Sequence, residues 1–77
     1  MQEQEMRKLI VSNLPEDIDE EELTRMFGEY GLESVHLETG KYAVLWFPDD
    51  WCAAKALGEW DDAVLRGHWL RIKKARY

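Results

Sequence analysis

The residues best equipped for chemistry are rings and cations that recur at every second position. Tyr42, Val44 and Trp46 alternate with Ala43 and Leu45, and Trp69, Arg71 and Lys73 alternate with Leu70 and Ile72. Lys8 and Ile10 repeat that spacing around Leu9. In an extended chain a period of two sends neighbouring side chains to opposite faces, so each set lines one side of a strand. An aromatic ring offers a flat surface on which a planar base stacks, at roughly 1–3 kcal/mol per base, while a nearby Lys or Arg neutralises phosphate. Covalent chemistry has poorer material. Asp49-Asp50 and Asp61-Asp62 are carboxylate pairs, yet helix capping and a solvated turn account for them. His36 and His68 have no evident nucleophile or ligand set, and the sequence holds no triad, metal cluster or phosphate-cradling glycine loop. The expectation is a binding module, not an enzyme, with no metal or cofactor.

Size and charge narrow this further. The 77 residues make one domain, too small to wall a catalytic cleft beside a working core, and an apolar fraction of 45% is that of a globular protein. One cysteine, Cys52, excludes an intrachain disulfide and favours a reducing intracellular setting, nuclear or cytoplasmic. Met1–Met6 is polar and acidic, unlike a signal peptide, and no apolar run is long enough for a bilayer, so no membrane partner is expected. A net charge of −6 taken alone argues against a polyanionic partner. Its distribution reverses the argument. Carboxylates crowd residues 15–31 and 48–62, whereas Arg7 and Lys8 lie near one end and Arg66, Arg71, Lys73, Lys74 and Arg76 near the other. Were those ends neighbouring strands, a basic region would coexist with an acidic total.

The elements that position these groups follow from patterning. Lys41–Phe47 is apolar on both faces and reads as a central strand, with Ala43, Leu45 and Phe47 toward one side and Tyr42, Val44 and Trp46 toward the other. Arg7–Asn13 is a first strand, with Leu9 and Val11 on one side, closed by Leu14-Pro15. Asp19, three residues before Glu22, opens a helix over about Glu20–Glu29 whose stripe is Leu23, Met26, Phe27 and Tyr30, and Gly31 stops it. Leu32–Glu38 alternates as a strand, and Thr39-Gly40 leaves room only for a tight antiparallel hairpin into the central one. Pro48-Asp49-Asp50 starts a second helix, about Asp50–Glu59, with Ala53, Ala56, Leu57 and Trp60 as its buried stripe. Asp61–Gly67 is a connection, and His68–Lys74 is one final strand with Leu70 and Ile72 on the core side. The order β, α, β, β, α, β specifies an α+β fold: a ferredoxin-like βαββαβ sandwich with both helices on one face of a four-stranded antiparallel sheet.

Over nearly its whole length the chain resembles an RNA recognition motif. Leu9-Ile10-Val11-Ser12-Asn13-Leu14 is similar to the family's first-strand hexamer, and Gly40 to Phe47 is similar to its third-strand octamer. Leu14-Pro15 followed by Leu23, Phe27 and Gly31, then Phe47 with Ala53, Ala56 and Leu57, then Gly67 leading to Leu70 and Ile72, match in order and spacing. Residues 1–6 are a polar tail and 7–77 one domain of this kind. The resemblance implies base stacking at three sheet positions, here Ile10, Tyr42 and Val44, of which Tyr42 alone keeps a ring. Lys41 occupies the place usually held by Gly, Gly40 that of the octamer's leading Lys or Arg, and the hairpin loop is much shorter than the family's long, often basic one. The implied partner is single-stranded RNA, bound with weak to moderate affinity. Tyr42 and Trp69 are expected to stack, Ile10 and Val44 to give apolar support, and Lys8, Arg71, Lys73 and Arg76 to contact phosphates or base edges.

A protein-interaction module on the same scaffold is the alternative. Ile10 and Val44 form an apolar patch where rings are expected, a composition common at protein interfaces. Trp46, near its strand's end, and Trp51, beside the second helix's stripe, are the candidate interface residues for a peptide, a helix or a second copy of the chain. The simpler expectation for Trp51 is packing against the end of the sheet. Trp69 is as well suited to covering Ile10 as to stacking on a base.

Overall fold

Strand alternation, two acidic helix caps and a left-handed glycine are enough to build most of the architecture. A computed structural model of the chain describes residues 7–38 and 42–75. The elements are β1 (Lys8–Ser12), α1 (Glu20–Phe27), a single 3-10 turn (Gly28–Tyr30), β2 (Ser34–Glu38), β3 (Tyr42–Trp46), α2 (Asp50–Trp60), β4 (Val64–Leu65), β5 (His68–Trp69) and β6 (Arg71–Ala75). Asp19 caps α1 by accepting from the Glu22 amide at 2.9 Å, and Asp49 caps α2 by accepting from the Cys52 amide at 2.9 Å. Each satisfies an amide left without a partner in a helix's first turn. Gly31 ends the 3-10 turn at φ 84, a conformation that disfavours a side chain.

The main sheet has the order β2-β3-β1-β6, every pair antiparallel. Its apolar alternates, Leu9 and Val11 of β1, Ala43 and Leu45 of β3 and Ile72 of β6, are buried together with Leu23 and Phe27 of α1 and Ala53 and Ala56 of α2. The expected four-stranded sandwich is therefore observed, with the core between sheet and helices. Phe27 and Phe47, both fully buried, meet edge to face at 73° with centroids 6.4 Å apart, and Trp60 lies against Phe27 at 5.5 Å. Such pairs add to the roughly 1.5–3 kcal/mol that burying each large apolar side chain contributes. Ile18, in the segment before α1, joins the core although no periodicity marks it.

The last quarter of the chain departs from expectation. His68–Lys74 is two strands, not one, and the connection Asp61–Gly67 is partly folded: Val64 pairs with Trp69 and Leu65 with His68. The Arg66-Gly67 loop of this hairpin has φ 50 and 84, the positive pair that a two-residue loop needs to match strand twist. Asn, Asp or Gly is usual at its first position, so Arg66 concealed the turn. Outside contacts hold it there. The Arg66 guanidinium donates to Glu22 at 2.7 and 3.0 Å and to Asp17 at 3.2 Å, tying the hairpin to α1. The Thr39-Gly40 turn and the tail at 1–6 lie outside the described residues. Among those described, no helix is long and apolar enough to cross a membrane.

Candidate nucleic-acid interface

Because directly opposed residues of antiparallel strands share a face, the register determines what the side away from the helices presents. One row runs Ser34, Trp46, Lys8, Ala75; the next His36, Val44, Ile10, Lys73; the third Glu38, Tyr42, Ser12, Arg71. The front is thus an apolar centre with cations on the β6 side. Tyr42 is 38% exposed, enough to offer its ring, while Ile10 and Val44 beside it are half-buried. Arg71 and Lys73 are exposed on β6, where they line a recess of about 360 Å³ with Ser12 and Ile72. Lys8 places its Nζ 5.7 Å from the Trp46 ring centroid, a cation–π contact across the β1–β3 pair that occupies one face of Trp46.

Trp69 is placed by the hairpin. It is 65% exposed, Leu70 after it is buried, and Arg71 is exposed again, so the alternation of the front continues past the end of β6. Asn13, at φ 62 just beyond β1, donates from Nδ2 to the Trp69 carbonyl at 2.7 Å and ties the hairpin to the central strands. Ser12 Oγ donates to the Arg71 carbonyl at 3.4 Å. Asp61 accepts from the Ile72 amide at 3.0 Å, which gives that carboxylate a task in holding β6 rather than a chemical one.

Of the expected contact residues, Lys8, Ile10, Tyr42, Val44, Arg71 and Lys73 lie on one surface with Trp69 beyond its edge, and Arg76 lies outside the described residues. Ser12 and Asn13, not among the expected contact residues, also border this surface. Period two already put Ser12 on this side, but nothing local marks Asn13, whose partner is distant in sequence. Among the described residues the charge division holds with one exception: Glu38 stands next to Tyr42 on the front and contacts His36 Nε2 at 3.2 Å. Most other carboxylates belong to α1, α2 and the segments leading into them. Trp51 does not pack against the end of the sheet as the simpler expectation had it. It is 69% exposed on α2, because its place in the first turn points away from the stripe carrying Ala53 and Ala56.

The RNA recognition motif profile matches residues 9–71. The chain is 36% identical over 72 residues to the splicing factor, proline- and glutamine-rich, of Mus musculus and of Homo sapiens. That alignment covers 91% of this chain and 10% of each relative, so the chain spans about a tenth of the length of the curated relatives it matches. Among solved structures, the C. elegans NONO-1 homodimer is similar at 27% identity and a TM-score of 0.85, over 91% of this chain and 29% of the other. The second RRM domain of yeast poly(U)-binding protein Pub1 is similar at 28% identity and a TM-score of 0.78, over 88% and 92%. With the hexamer on β1, the octamer leading into β3 and the helices behind the sheet, the chain belongs to the RNA recognition motif family.

Proposed function

We propose that this domain binds single-stranded RNA across its front face and does so without catalysis. The observation that carries the proposal is the collection of Tyr42, Ile10, Val44, Arg71 and Lys73 on one side of one sheet, with most of the acid on the other side. Tyr42 stacks on a base, Ile10 and Val44 support the stacked base from below, and Trp69 takes a neighbouring base beyond the sheet edge. Arg71, Lys73, Lys8 and Arg76 follow the backbone. With one ring at the three usual sheet positions, affinity is weak to moderate and depends steeply on salt.

The similarity to a splicing factor and to a poly(U)-binding protein supports RNA as the partner class, and the former supports a nuclear or other intracellular setting. A titration with randomised single-stranded RNA at low salt tests the proposal. Amide shifts on β1, β3, β5 and β6 are expected. Shifts absent from the strands carrying Tyr42 and Trp69 would exclude this mode. Self-association is a separate reading, motivated by the NONO-1 homodimer among the similar structures; a sedimentation coefficient that does not change with concentration excludes it.

A further inference from the structure

The helical layer carries a feature the RNA surface does not use. Trp51, at 69% exposure the most exposed of the large apolar side chains among the described residues, lines an open recess of about 500 Å³ with Tyr30, Cys52, Glu29, Glu59 and Lys55. The recess lies where the 3-10 turn meets α2, on the opposite side of the core from Tyr42. Tryptophan is enriched among the residues that anchor protein partners, and here it stands beside a recess.

The lining has a definite electrostatic character. Glu29 and Glu59 come from different elements and are both exposed. Burial first, and then the negative charges of Glu29 and Glu59, push the Tyr30 phenol above its ordinary value, so both carboxylates act on the same spot. Lys55 is the one cation in the lining, leaving two carboxylates against it. An aromatic face beside two carboxylates complements a flat cation: a guanidinium lies on the ring while its N–H groups reach the carboxylate oxygens. Arginine fits this better than lysine, whose ammonium is a compact point charge without a stacking plane. RNA is disfavoured here by the same carboxylates.

We propose that the Trp51 recess is a docking site for an arginine-containing peptide segment of a partner protein, with the guanidinium stacked on Trp51 and paired to Glu29 and Glu59. Being on the other side of the core, the site is free while RNA occupies the sheet, so the domain can hold an RNA and a basic protein segment at once.

The test follows backbone amides of the whole chain during titration with a capped peptide of alternating arginine and glycine. The lysine–glycine and glutamate–glycine versions serve as controls, and the arginine titration is repeated with RNA present. The proposal expects shifts at Tyr30, Trp51, Cys52 and Lys55 with the arginine peptide, weaker ones with lysine and none with glutamate. Trp51→Ala and the double change Glu29→Gln with Glu59→Gln should each weaken binding by roughly fivefold or more. These positions are exposed, so an unchanged melting temperature shows that the fold is kept. The site is refuted by shifts confined to the sheet, by equal binding of the glutamate peptide, or by affinity unaffected by both variants. Shifts at Trp51 that depend on protein concentration without peptide would refute it in favour of a second copy. RNA binding is read in its own arm, so either proposal can fail alone.

Discussion

In the proposed binding mode base recognition turns on Tyr42, because Ile10 and Val44 can support a base but cannot stack as a ring does. Tyr42→Ala should weaken binding of single-stranded RNA by about 1–3 kcal/mol, whereas Tyr42→Phe should leave it nearly unchanged because the ring face does the stacking. Fluorescence anisotropy with a labelled RNA measures both. Equal losses would show instead that the hydroxyl makes a specific contact. Trp69→Ala should also weaken binding, and Asn13→Ala by less, since Asn13 acts only through the 2.7 Å hydrogen bond that fixes the Trp69 backbone. Trp46 is a different case, with one face already taken by Lys8.

At the scale of elements, the turns and caps decide how firmly that face is presented. At Gly31, φ is 84 and an added Cβ would meet Pro48 Cγ at 3.3 Å, so Gly31→Ala should lower unfolding free energy by roughly 1–3 kcal/mol, read by urea denaturation. The β4–β5 hairpin depends on charge. The hydrogen bond from Arg66 is the largest influence on Glu22 and holds its carboxyl below the ordinary 4.5, against an opposing effect of burial. A carboxyl depressed in the folded state stabilises fully above its unfolded value, and the contribution disappears as pH falls through the folded one. Stability should therefore drop as pH falls through the ordinary carboxylate value and below it, and Arg66→Ala should flatten part of that drop. The remainder includes Asp49, held low mainly by the Cys52 backbone amide. The same hairpin shows where sequence reading stops. The four long strands and both helices were legible because Leu9, Val11, Leu23, Phe27, Ala43 and Leu45 repeat at strand or helix period. The hairpin was not, because Arg66 adopts positive φ with partners that no local pattern reveals, Glu22 on α1 and Asp17 just before it. Period two put Tyr42, Ile10, Val44, Arg71 and Lys73 on one face, as the register does, but it could not supply the Asn13 contact or the exposure of Trp51, which depend on packing between distant segments.

The molecule as a whole is acidic yet turns a basic, apolar face outward, and its partners should be governed by that division, not by its net charge of −6. If Lys8, Arg71, Lys73 and Arg76 each neutralise one phosphate, the logarithm of affinity should fall against the logarithm of salt with a slope of about −3. A slope near zero would point to binding by apolar contact alone. The most direct test compares Arg71→Glu on the front with Lys55→Glu on the helical side, since both change net charge equally. With single-stranded RNA at low salt, the account predicts a loss on the order of tenfold for Arg71→Glu and little change for Lys55→Glu. Equal losses from the two would mean that RNA senses only total charge, and would contradict a bound strand lying across the front of the sheet.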